Sequence, residues 1–84
     1  MIRLTLLTRG GCRLCDEMKE VVRQVQRSHR LSLTEVDIST EPALERRWGT
    51  EIPVLLDGGR VIARHRTTAQ NLAAAVSRAT SPSR

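Results

Sequence analysis

The chain has 84 residues, against about 100 to 200 for an ordinary domain, so it holds one small domain and any site must be built on a single core. Apolar residues make up 39% and charged residues 27%, which excludes wholesale disorder, collagen and coiled coil; no run approaches the ~18 apolar residues of a membrane span, and Arg3 and Thr5 break the apolar start that a signal peptide would need. Fourteen Lys and Arg against nine Asp and Glu leave a charge of +5, which favours anionic partners, but with Trp48 the sole aromatic the stacking platforms of a single-strand binder are missing and nucleic acid is not expected.

In chain order, Ile2 to Leu7 alternates Ile2, Leu4 and Leu6 with polar residues and predicts a strand that Gly10 and Gly11 stop. From Cys12 to about Ser28 the apolar positions Cys15, Met18, Val22 and Val25, with Leu14 and Val21 beside them, recur at three- and four-residue steps, the stripe of an amphipathic helix. Leu31 to Ile38 predicts a second strand, and strand, helix, strand implies a parallel crossover. Ser39 or Thr40 is placed to cap a short helix with Pro42 in its first turn, Leu44 and Trp48 on one face and Gly49 at its stop. Ile52–Leu56 and Val61–Arg64 read as a hairpin closed through Asp57-Gly58-Gly59. Thr67 or Thr68 then caps a last helix with Leu72, Ala75, Val76 and Ala79 on one face. The expectation is an α/β domain over residues 1–79, β-α-β-α-β-β-α with a four-stranded mixed sheet flanked by helices, and a flexible tail at 80–84.

Two cysteines are too few for a secreted disulfide scaffold, and at two residues' separation they staple nothing distant, which points to chemistry. Residues three apart on a helix have Cβ atoms ~5 to 6 Å apart and a disulfide wants roughly 3.5 to 4.5 Å, so a small adjustment at a helix start opens or closes the bond. The unpaired amides and positive dipole end of a first helical turn stabilise a thiolate, and CxxC thiols there have pKa values lowered to ~3.5 to 7.5 from about 8.5. Cys12, the outer residue, gains most and is the candidate nucleophile. Cys15, on the stripe with Met18 and Val22, is the candidate resolving thiol. Arg9 and Arg13 favour the Cys12 thiolate, whereas Asp16 and Glu17 oppose it. The competing readings are a structural cysteine pair and half of a zinc site, for which only His29 and His65 remain; both histidines are expected at the surface.

With the CxxC after the first strand, Trp48-Gly49 running into Ile52-Pro53-Val54-Leu55-Leu56, and the Asp57-Gly58-Gly59-Arg60 hairpin, the chain resembles the thioredoxin superfamily, and within it the compact glutaredoxin-like proteins, over nearly its whole length. The resemblance implies that Pro53 is cis and faces the cysteines, with the backbone before it pairing to the substrate chain as an extra strand. Arg9, Gly11, Arg13, Ile52 and Pro53 are the candidate substrate contacts. The chain departs from glutaredoxins in having Arg13-Leu14 between the cysteines in place of Pro-Tyr, and Ala63-Arg64-His65-Arg66 in place of Gly-Gly and acidic residues. Arg64, Arg66 and Thr67 are candidate contacts for an anionic group such as a glutathione carboxylate, against the alternative of a solvated charged rim. Lys19, Arg23 and Arg27 form a basic stripe expected to face water, and Trp48 is expected to cap the core.

The reading is a cytoplasmic, monomeric dithiol oxidoreductase acting on a disulfide-containing protein or a low-molecular-weight thiol. It needs no metal or organic cofactor, only an external donor such as glutathione or a thioredoxin-reductase-type system. The alternatives are a non-enzymatic thioredoxin-fold binding module and a CxxC metal-binding protein. No membrane association is expected.

Overall fold

The structure, a computed structural model, describes residues 1–80. It runs β1 (Ile2–Thr8), α1 (Arg13–Gln26), β2 (Leu31–Asp37), a 3-10 turn (Ile38–Thr40), α2 (Pro42–Trp48), β3 (Val54–Asp57), β4 (Arg60–Arg64) and α3 (Ala69–Thr80), the expected order. One sheet has the strand order β2-β1-β3-β4; β1 and β2 are parallel, as the intervening helix requires, and the other two pairings are antiparallel.

The alternation of side chains along each strand divides the core in two. Ile2, Leu4, Leu6, Leu31 and Leu55 face one side, where Met18, Val22 and Val25 of α1 and Leu72 and Val76 of α3 cover them. Leu7 and Val54 face the other side, where they meet Ile38 and the half-buried Leu44 and Trp48 of α2. Trp48 therefore caps the smaller core, with the Arg47 guanidinium stacked 4.8 Å from its ring centroid. Each fully buried Leu or Val contributes about 1.5 to 3 kcal/mol.

Several local expectations are corrected. Ser39 and Thr40 do not cap α2: burial of Ile38 draws them into the 3-10 turn, which Asp37 caps by accepting the Ser39 N–H at 2.9 Å, and Glu41 precedes α2 without a side-chain cap. β3 begins at Val54, two residues later than expected, because Ile52 and Pro53 form the turn before it. Leu55 pairs with Ala63 and Leu56 with Val61, so Ile62 is an extra, bulged residue in β4. Gly58, at φ 64, makes the left-handed step of the two-residue hairpin turn. Thr68, and not Thr67, caps α3, its Oγ1 accepting the Asn71 N–H at 3.0 Å. The helix continues through Thr80; the side chain of Ala79 and residues 81–84, expected as tail, lie outside the described residues.

Candidate functional site

Strand direction gathers the candidate residues. Because Leu7 lies opposite Val54 and Val54 opposite Arg64, the carboxyl ends of β1 and β4 and the amino end of β3 share one end of the sheet. The segments 9–12, 49–53 and 65–68 therefore emerge together, which no spacing in the sequence expresses.

Cys12 is the N-cap of α1. Its backbone is extended (φ −92°, ψ 110°), its own N–H donates to Arg9 O at 3.3 Å, and its Sγ accepts the Cys15 N–H at 3.1 Å. A sulfur thus occupies the place where a helix start offers a free amide and the positive end of its dipole, the setting that favours a thiolate when the pair is reduced. Gly11, at φ 77, supplies the left-handed step before it. Cys12 and Cys15 are joined by a disulfide with their Cα atoms 5.2 Å apart. The two sulfurs have unequal environments: Cys15 is 1% exposed on the apolar face of α1, whereas Cys12 is half-buried at the surface.

The Ile52–Pro53 peptide bond is cis, Pro53 is buried, and its carbonyl accepts the His65 N–H at 2.8 Å. Trp48 O accepts the N–H groups of both Glu51 and Ile52, at 2.8 and 3.2 Å, and fixes the turn that leads to the proline. Ile52 packs its side chain on the α2 side of the sheet. Arg13 stands exposed between the two cysteines.

The remaining candidates divide. Arg66 and Thr67 line an open cleft of about 420 Å³ between α1 and α3, together with Leu14, Glu17, Met18 and Asn71. Arg64 instead donates to Glu51 at 2.8 Å, and the Arg9 guanidinium pairs with Glu45 of α2 and reaches the O of Gly49, its C-cap, at 3.4 Å. Thus Arg66 and Thr67 face the cleft that Leu14 borders, Arg64 is held by Glu51, and Arg9 is turned to the end of α2.

Sequence reading missed Leu14 and His65 as lining residues of this cleft. Leu14 was legible from its place between the cysteines. His65 was not, because it is brought in by a left-handed turn (φ 62) in which the Arg66 N–H donates to Arg64 O at 2.7 Å. His29 is half-buried, linking the end of α1 to Ser77 of α3 at 3.3 Å. Among the described residues no group of three or more His, Cys, Asp or Glu side chains is arranged to hold a metal ion.

The basic stripe is largely paired. Lys19 lies 3.4 Å from both Asp16 and Glu35, and hydrogen bonds first to Asp16 and then to Glu35 hold its pKa above the usual lysine value. Arg23 pairs with Glu20 at 3.0 Å. The Asp37 carboxyl is held below its usual range by its hydrogen bonds from Ser39. Among the described residues no helix is long and apolar enough to cross a membrane.

Comparison with known proteins agrees with this architecture. No curated protein matches the chain. The X-ray structure of the structural-genomics target XcR50 from X. campestris superposes with a TM-score of 0.79 at 34% identity, over 89% of this chain and 96% of that one. Protein Ne2328 from Nitrosomonas europaea matches with a TM-score of 0.75 at 24% identity, over 87% of this chain and 88% of that one. A mutant thioredoxin from Halobacterium salinarum shares the fold, with a TM-score of 0.68 at 17% identity over 99% of this chain and 78% of its own. The model of the glutaredoxin-like domain (DUF836) matches residues 3–77. With a thioredoxin-like α/β fold and a cysteine pair at the start of α1, the chain belongs to this glutaredoxin-like domain family.

Proposed function

We propose that the protein is a dithiol–disulfide oxidoreductase, with Cys12 as nucleophile and Cys15 as resolving thiol. The observation that carries this reading is the unequal pair: a half-buried Cys12 sulfur at the N-cap, bonded to a Cys15 that is 1% exposed. In the reduced protein the Cys12 thiolate attacks one sulfur of a substrate disulfide. A Cys12–substrate bond forms, the substrate S–S bond breaks, and the departing thiolate takes a proton from solvent. Cys15, deprotonated in turn, attacks the Cys12 sulfur, releases the second substrate thiol, and leaves Cys12–Cys15 oxidised; the two electrons gained by the substrate come from the pair.

Two external thiols, or a reductase of the thioredoxin-reductase type, return the pair to the dithiol. The cleft beside Leu14 suits an anionic thiol such as glutathione, with Arg66 and Thr67 available to its carboxylate. Ile52 and Pro53 suit the substrate backbone, Gly11 and Arg13 its flank. The reading includes a cytoplasmic monomer, in a compartment whose thiol donors recycle the pair.

The test is to equilibrate the protein in glutathione buffers of known poise, trap thiols by alkylation and resolve free, glutathionylated and disulfide forms by mass. A reversible Cys12–Cys15 transition is expected. Cys12→Ser should abolish disulfide reduction, and Cys15→Ser should accumulate a mixed disulfide on Cys12. Full reductase activity in Cys12→Ser, or thiols that never pair across the range, would refute the assignment.

A further inference from the structure

We infer that Arg9 is a positioning residue, and that a clamp made by Arg9, Glu45 and Gly49 holds the Cys12 loop in register with the Ile52–Pro53 turn. The inference rests on the oxidoreductase reading and assigns Arg9 a role other than contact with substrate. Arg9 reaches both loops at once. Its carbonyl accepts the Cys12 N–H at 3.3 Å, while its guanidinium pairs with the Glu45 carboxylate and donates to Gly49 O at 3.4 Å. Those two partners sit in and just after α2, and the residue bonded to Gly49 on its amino side is Trp48, whose O holds the N–H groups of Glu51 and Ile52. A short path of bonds therefore runs from Cys12 through Arg9 and the end of α2 to Pro53.

The clamp is close-fitting. A Cβ added at Gly49 would lie 2.5 Å from Glu45 O, 2.7 Å from Glu45 Oε1 and 3.4 Å from Arg9 Nη2, so only glycine lets the three groups meet. The Arg9 charge is met by Glu45, and its influence on Cys12 passes through backbone geometry more than through charge. Between Arg9 and Cys12 lie Gly10 and the left-handed Gly11, neither with any heavy atom within 4 Å of a built Cβ, so no side-chain packing fixes this loop and the clamp takes that part. A substrate that must engage Cys12 and the Ile52–Pro53 backbone together depends on the relative placement of the two loops; one that meets Cys12 alone does not.

The experiment compares reduction of a disulfide-bonded peptide, reduction of a small symmetric disulfide without peptide bonds, and the pH profile of Cys12 alkylation by iodoacetamide in the reduced protein. The variants are Arg9→Gln, Glu45→Gln, their combination and Gly49→Ala, which disturbs the clamp with both charges kept. Each is assayed below its melting transition.

Loss of register should lower kcat/KM for the peptide disulfide by about tenfold, with the small disulfide held within about twofold of wild type and the alkylation midpoint within about 0.3 pH unit. The double variant should be no worse than the poorer single, because both remove one device. Unchanged peptide reduction, or an equal fall for both disulfides, would overturn the clamp. So would a shifted alkylation midpoint in Arg9→Gln that Arg9→Lys restores, since that marks a charge effect. A wild-type protein that reduces neither disulfide would instead overturn the oxidoreductase reading beneath it.

Discussion

His65 offers a measurement of strain beside the candidate site. Its φ of 62 and the bond from Arg66 N–H to Arg64 O across it describe a classical γ-turn, the strained form, centred on a residue with a Cβ. An L-residue in the left-handed region costs about 1 to 2 kcal/mol, and glycine avoids this cost. Against that, glycine gives up roughly 0.5 to 1 kcal/mol more conformational freedom on folding. His65→Gly and His65→Ala lose the same imidazole, with its exposed 3.9 Å approach to Glu51, so their difference isolates the backbone. The two ranges leave about 0 to 1.5 kcal/mol in favour of the glycine variant, and the midpoint of about 0.75 kcal/mol is roughly 3 to 6 °C in Tm for a domain of this size. Urea unfolding followed by far-ultraviolet circular dichroism, with equal m-values, reads this directly. An alanine variant as stable as the glycine variant, or more so, would refute the argument. The turn also gives the His65 N–H to Pro53 O, and that hydrogen bond ties the end of β4 to the proline.

Three further outcomes are expected. Leu55→Ala, in a central strand at 0% exposure, should cost about 2 to 5 kcal/mol in urea unfolding, and an effect below about 1 kcal/mol would contradict its place in the core. Thr68→Ala should cost about 1 kcal/mol by removing the cap of α3, whereas Thr67→Ala should cost less; equal losses would argue against Thr68 as the cap. The carboxyl of Asp37 titrates lower in the folded than in the unfolded chain, so its contribution to stability is full above the ordinary value of 3.8 and is lost as pH falls through its folded pKa. The acid limb of a stability–pH curve should therefore be shallower for Asp37→Asn than for wild type, and coincident limbs would count against the Ser39 contact.

Much of this protein is decided locally and is legible along the chain. The stripe Cys15, Met18, Val22 and Val25 can bury only one face of a helix, and that face is the buried one. Gly58 marks the hairpin because a tight turn needs positive φ, and the CxxC pair announces its chemistry because its spacing at a helix start brings two sulfurs within bonding reach. Caps were less legible: Ser39, Thr40, Thr67 and Thr68 all have the right side chain, and burial of Ile38 and the geometry before α3 select among them.

What only the tertiary structure decides is which distant charges meet. Arg9 and Arg64 are indistinguishable from free anion contacts in one dimension, yet antiparallel pairing of β1 with β3 and of β3 with β4 brings them to Glu45 and Glu51, which take them. Arg66, two residues beyond Arg64, is swung into the cleft by the left-handed turn at His65. Periodicity reports which face of an element is buried; the ion pairs depend on the register of strands far apart in sequence, and a linear pattern carries no record of that register.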